Sequence, residues 1–211
     1  VNIRISAINC YLDSIKSDCT KLQTVKYQQQ TFLENVISFP DYEYLKSCLL
    51  RDDRQMWYFV VRFLGSTGAR ISELLQFKVE HVYAGYVDLY TKGGKIRRIY
   101  IPRNLQEDAK KWLTNEKMQS GYVFINQRKK QLTAKGVSSQ LKRVAETYGI
   151  EPSVVHPHSF RHMFAKTFID RYNDIALLAD LMGHESIETT RIYLRKTTNE
   201  QQSIVNNTVD W

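Results

Sequence analysis

Two short runs rich in aromatic and β-branched residues, Tyr86–Tyr90 and Ile96–Ile101, interrupt a chain whose apolar residues elsewhere recur every three or four positions. Between them stand Thr91-Lys92-Gly93-Gly94-Lys95. Paired glycines accept the positive φ angles of a tight turn, so the two runs read as one antiparallel hairpin. A lone hairpin among helices does not fit a doubly wound sheet. The expected fold is mainly α (α+β), with a small antiparallel β-sheet.

The helical pattern starts early: Ile3, Ala7, Ile8, Tyr11, Leu12 and Ile15 recur at helical spacing over residues 1–16. A polar stretch from Ser17 to about Gln30 reads as a linker. Pro40-Asp41 opens a helix through Leu50 that Asp41 is expected to cap, and residues 55–66 form a second, strongly apolar helix. A helix after Pro102 should cover Leu105 to Leu113, and Tyr122–Ile125 suits a short strand. Further helices are expected at about 134–148, 157–171, 174–182 and 186–194, with Gly149 and Gly183 where helices stop.

Charge narrows the partners. The 30 Lys and Arg outnumber the 22 Asp and Glu, for a net charge of +8. Such a surplus favours polyanions, with nucleic acid ahead of an anionic membrane face. No stretch approaches the roughly 18 apolar residues of a membrane span, because Arg62 breaks even the run at 56–64. Cys10, Cys19 and Cys48 have no CxxC spacing and read as free thiols in a reducing compartment. A cytoplasmic setting, the bacterial cytosol first, follows. The chain opens on Val1 rather than Met, which reads as a fragment of something longer.

Four segments carry chemistry. In the first, Gly68 breaks the buried helix and leaves Arg70 at a junction, three residues before Glu73. That pair is either an ordinary surface ion pair or a guanidinium steadied by a carboxylate and aimed at a phosphate, which its planar fork matches. The second is Lys92 on the hairpin, either solvated or delivered into a groove from the side, with Lys95, Arg97 and Arg98 around it. The third is His156-Pro157-His158-Ser159-Phe160-Arg161-His162. Pro157 suits a helix start, which puts His158 and Arg161 on one face. The His158–His162 spacing also suits zinc, but Ser159 stands where a HExxH motif needs glutamate and no third ligand is close by. In the fourth, Gly183 ends one helix and Ser186 can cap the next, so His184 falls between them and Tyr193 at the far end. With 13 tyrosines in the chain, only its spacing to His184 singles out Tyr193.

The ordered set Arg70, Lys92, His158-x-x-Arg161, His184 and Tyr193 resembles the tyrosine recombinases, the phage-type integrase family. TGARISELL is similar to that family's first arginine box and TKGGKIRRIYIP to its lysine hairpin. HSFRHMFAKTF is similar to its His-x-x-Arg box and LMGHESIETTRIYLR to its histidine–tyrosine box. The likeness runs from about residue 40 to 195, with Thr91 departing where glycine often precedes the lysine. It implies three parts: residues 1–35 as the end of a core-binding domain and its linker, 36–195 as a catalytic domain, and 196–211 as a tail. For that tail, docking on a neighbouring protomer, docking in cis and disorder stay open.

The resemblance also implies roles. Tyr193 would attack the scissile phosphorus, leaving a 3′-phosphotyrosine and a free 5′-hydroxyl, with no cofactor and no metal. Arg70 and Arg161, assisted by His184, would hold the charge gathering on the non-bridging oxygens. A phenol of pKa about 10 needs a base during attack, and His158 is the best placed in sequence. Lys92 would protonate the departing 5′-oxygen, and Glu73 would orient its neighbours. Double-stranded DNA is the partner, with self-association into a synaptic tetramer on it and the monomer as the alternative when free.

Lys95, Arg97, Arg98, Arg128, Lys129, Lys130, Lys135, Lys142 and Arg143 are candidates for neutralising backbone phosphates, against a solvated-face reading for each cluster. Three competing functions stay open at this point: relaxation by a type IB topoisomerase, a non-catalytic DNA-binding accessory factor, and a metal-dependent phosphodiesterase.

Overall fold

The computed structural model describes residues 2–16, 20–23, 35–90, 96–184, 186–194 and 206–207. The chain forms two compact units, Val1–Thr31 and Phe32–Trp211. In the first, helix α1 (Asn2–Ser14) is tied to the segment after it. The Asn9 side chain donates to the Leu22 carbonyl and accepts from the Leu22 N–H, both at 2.9 Å.

The second unit starts with α2 (Phe39–Arg51) and α3 (Gln55–Thr67). Ser38, not Asp41, caps α2: its hydroxyl accepts from the Asp41 N–H and donates to the Asp41 carboxylate. Pro40 occupies the first turn, where its missing N–H costs nothing. Helix α3 buries most of its surface, and Phe63 at its centre meets Phe77 and Phe124 edge-on at 5.7 and 5.6 Å. Gly68 ends α3 at φ +62°, and a Cβ there would fall 2.5 Å from the Phe164 ring. Only glycine turns the chain this tightly, and the turn delivers Arg70 to the head of α4 (Ile71–Leu74).

Next come α5 (Val79–Ala84), β1 (Tyr86–Tyr90) and β2 (Ile96–Tyr100). The strands are antiparallel, pairing Tyr86 with Tyr100 and Tyr90 with Ile96. Val87, Arg97 and Ile99 face inward, whereas Asp88, Tyr90, Ile96 and Arg98 face water. Tyr122–Ile125 is not a strand; it makes only isolated bridges, Lys78 with Tyr122 and Ile125 with Gln131.

Helices α6 (Arg103–Asn115), α7 (Ala134–Thr147), α8 (Pro157–Arg171) and α9 (Ile175–Met182) follow. The expected helix at 186–194 divides into α10 (Ile187–Thr190) and a 3₁₀ turn, Arg191–Leu194. α8 packs against α3 and carries two cores. Phe160 and Met163 join the main one, while Ala165 and Ile169 join Leu178, Met182 and Tyr193 in a smaller one. Cys10 and Cys48 are free thiols, and Cys19 lies outside the described residues. No helix among the described residues is long and apolar enough to cross a membrane.

Candidate active site

A helix end leaves its last carbonyls unpaired and carries the negative pole of the helix dipole. At the end of α9, three consecutive carbonyls each accept from a different arginine. Leu181 O accepts from Arg97 at 2.8 Å, Met182 O from Arg161 at 2.6 Å, and Gly183 O from Arg70 at 3.2 Å. Arg161 also donates to the Gly68 carbonyl, which ties the α3–α4 turn to the α9 turn. Gly183 sits at φ +61° with the Arg97 side chain against its Cα.

Glu73 neutralises part of this charge. Its carboxylate accepts from the Arg70 guanidinium at 2.8 Å and from the Arg70 backbone N–H at 2.7 Å, and it bonds Arg97. Burial alone would raise the Glu73 pKa, but the two arginines outweigh it and hold the pKa below the usual carboxylate range. Arg161 is buried beside Arg70 and Arg97, and burial followed by their repulsion lowers it to about 10, still protonated at neutral pH. Three guanidiniums against one carboxylate leave the site electropositive.

His184 lies directly after this turn. Its Nε2 is 3.1 Å from Arg161 Nη2, and its Nδ1 is 2.8 Å from Thr190 Oγ1. A guanidinium only donates, so Nε2 is the acceptor and Nδ1–H donates to Thr190. Burial, then Arg161 and Arg70, push the His184 pKa down to about 4, which keeps the ring neutral. Tyr193 is buried in the adjoining 3₁₀ turn, with its hydroxyl 2.7 Å from Nδ1 of His162. Burial raises the phenol to about 12, against a smaller opposing pull from Arg161.

Residues 30–200 match the sequence model of the phage integrase family. The chain belongs to that family. Among curated relatives it is 36% identical over 152 residues to the tyrosine recombinase XerA of Pyrococcus furiosus, covering 69% of this chain and 52% of the relative. It is 31% identical over 193 residues to the tyrosine recombinase XerD of Listeria monocytogenes, covering 84% and 62%. The chain thus spans between about half and two-thirds of these relatives. Two solved structures share its fold. A XerA recombinase has TM-score 0.70 at 19% identity, covering 98% of this chain and 75% of that one. The Tn1549 transposon integrase in complex with transposon right end DNA has TM-score 0.75 at 17% identity, covering 98% and 78%.

Within this integrase-family fold, Arg70, Arg161, His184 and Glu73 come together at the end of α9, from segments far apart in sequence. Tyr193 stands beside them, close enough for Arg161 to act on its pKa. His158 is exposed, its ring stacked on that of His162 at 5.5 Å. Partial burial and the nearby Arg161 lower its pKa. The imidazole that touches the Tyr193 hydroxyl is therefore His162, one helical turn beyond His158. In the sequence, His162 stands out only through the zinc-like spacing. Among the described residues no three His, Cys, Asp or Glu side chains are grouped to hold a metal ion.

Arg97 needs correcting as a candidate for backbone phosphates. It is only 5% exposed and is committed to Glu73 and Leu181. Strand alternation was the available signal, since 97, 99 and 101 share a face while Arg98 points the other way. Arg98 is exposed but forked onto Asp88 by two 2.7 Å bonds, so its charge is locally met. Arg128, Lys129, Lys130, Lys135, Lys142 and Arg143 are exposed and form no ion pair with another described residue. Lys92 and Lys95 lie outside the described residues, as does the tail from 195 apart from 206–207.

Proposed function

We propose that this chain is the catalytic part of a site-specific DNA recombinase that cuts and rejoins duplex DNA through a 3′-phosphotyrosine link to Tyr193, without a metal ion. The observation that carries this reading is the convergence of Arg70, Arg161 and His184 on one helix end beside a buried phenol. A phosphodiester under attack gathers negative charge on its non-bridging oxygens. Guanidiniums fixed in advance by Glu73 and by carbonyls stabilise that charge without reorganising. Arg70 is the more open of the two, its side chain 39% exposed, and meets the phosphate first.

The net charge of +8 and the exposed lysines and arginines at 128–130, 135, 142 and 143 suit a long anionic partner. The relatives' names support recombination, and XerH has been solved bound to its difH substrate in a post-cleavage complex. The setting is the bacterial cytosol, with self-association into a tetramer on DNA. Lys92, on the hairpin, supplies the proton to the leaving 5′-oxygen.

The test uses a nicked suicide duplex whose sequence is selected by this chain from a random pool, followed by a denaturing gel. A protein–DNA adduct is expected with the native chain, with or without EDTA, and none with Tyr193→Phe. An adduct that survives in Tyr193→Phe, or that EDTA abolishes, refutes the reading.

A further inference from the structure

We infer that His162 is a catalytic residue, the group that takes the phenol proton of Tyr193 as its oxygen bonds to phosphorus. This rests on the function proposed above and names a base that sequence alone assigned elsewhere.

A base must lie within about 2.6–3.2 Å of the atom it deprotonates, and His162 Nδ1 is 2.7 Å from the Tyr193 hydroxyl. The direction of this bond follows from what else is near. Tyr193 is only 7% exposed, and its O–H has no other acceptor among the described residues. Were Nδ1 to carry the proton, the phenol's own hydrogen would be buried without a partner, an arrangement that folded proteins avoid. The phenol therefore donates, and Nδ1 is a free lone pair facing the nucleophile.

The surroundings keep that lone pair available. Among the described residues, the groups facing His162 are His158 and Arg161 on its own helix, His156 before it, His184 after α9, and Tyr193. None is an acid that would hold a proton on the ring. Burial first, then His158, His156 and Arg161, lower the His162 pKa to about 4, so it is neutral throughout the neutral range. A DNA phosphate entering beside Arg161 adds negative charge and raises the proton affinity of the ring when it is needed.

His158 is left a different place. It is exposed and stacked on His162, and the ring nitrogen that meets the phenol belongs to His162.

The step balances. The Tyr193 Oη–P bond forms as the P–O5′ bond breaks. The phenol proton moves to His162 Nδ1, and a separate proton reaches O5′ from Lys92. On rejoining, the DNA 5′-hydroxyl gives its proton back to Lys92 as its oxygen attacks the phosphotyrosine, and His162 returns its proton to the departing phenolate.

Three chains are compared on the selected suicide duplex in single turnover: native, His162→Ala and His162→Gln, each checked for folding by thermal melting. The native rate should be flat from about pH 6 to about pH 8. Both variants should lose about 100-fold or more, within the range for general base catalysis. Their residual rate should climb about tenfold per pH unit as the phenol ionises into solvent, and added imidazole should restore part of it in His162→Ala. Adduct formation at the native rate or faster in either folded variant overturns the inference, because His162 would then be a latch that holds Tyr193 back. Native adduct with no Tyr193→Phe adduct secures the function even if this inference fails. A readout without DNA stands beside it: the ¹⁵N shift of His162 Nδ1 should report an unprotonated acceptor whose signal moves in Tyr193→Phe. A protonated Nδ1 overturns the assignment whatever the cleavage assay shows.

Discussion

Gly183 offers a direct test of whether the arginine grip on α9 is real. An added Cβ would lie 2.3 Å from Arg97 Cδ, 2.6 Å from Nε and 3.3 Å from Cζ, so Gly183→Ala must displace Arg97. Two costs follow. A left-handed conformation costs a non-glycine residue about 1–2 kcal/mol. Withdrawing Arg97 from Leu181 and Glu73 forfeits hydrogen bonds from a charged group, about 1.5–3 kcal/mol. The expected loss is therefore about 3–5 kcal/mol in urea unfolding. Gly149→Ala is the internal reference, since Gly149 has φ +67° with nothing within 4 Å of an added Cβ. It should lose only the first amount, about 1–2 kcal/mol. Combining Gly183→Ala with Arg97→Ala removes the clash, so there the glycine change should again cost about 1–2 kcal/mol. Equal losses for Gly183→Ala and Gly149→Ala would show that Arg97 is not seated where the structure places it.

Two further outcomes are expected. Glu73→Gln should destabilise the fold by about 3–5 kcal/mol at neutral pH, because it leaves Arg97 buried without its carboxylate. Glu73 titrates below its ordinary value when folded, so its contribution is complete above the usual carboxylate range and disappears as pH falls through the depressed value. The gap between native and variant chains in urea unfolding should therefore shrink from about pH 6 to about pH 3; a constant gap would mean Glu73 is not paired. For DNA binding, Arg128, Lys130 and Lys135 are exposed, whereas Lys129 has φ +56° and is best left alone. Changing those three to Gln should make the log–log salt dependence of Kd shallower by about 0.9 for each backbone phosphate that is no longer neutralised. An unchanged slope would mark them as a solvated face.

The Arg70–Glu73 pair and the His158–Arg161 face were legible because each keeps its residues within one turn or one helix. Arg70 and Glu73 are three residues apart, and the hairpin announces itself through Gly93-Gly94. The helices at 134–148 and 157–171 were legible from periodicity and their punctuating proline and glycine. What was missed depends on facing partners distant in sequence. The bond between His162 and Tyr193 spans 31 residues and exists only because α8 packs against the 3₁₀ turn. Ser38 and Asp41 both suit a cap, and only the backbone angles decide between them. The break after Thr190 was hidden for a similar reason: Thr190 is drawn inward to His184, and the chain tightens into a 3₁₀ turn there.

The two cores then divide the labour of the proposed chemistry. Charge stabilisation needs cations that do not move when the phosphate arrives. Arg70 and Arg161 meet this need beside the large core, through Gly68 and the buried end of α3. A nucleophile must instead travel toward phosphorus and later leave it. Among the described residues Tyr193 shares its cluster with only four other buried residues, a footing that less energy can loosen. The α9 turn joins the two, because the carbonyls that seat the arginines directly precede the loop leading to Tyr193. In the proposed reaction a phosphate uses the donors that Arg70 and Arg161 keep free, so the carbonyls go on seating both guanidiniums, while Arg97, buried and committed to Glu73 and Leu181, keeps the turn attached to the sheet.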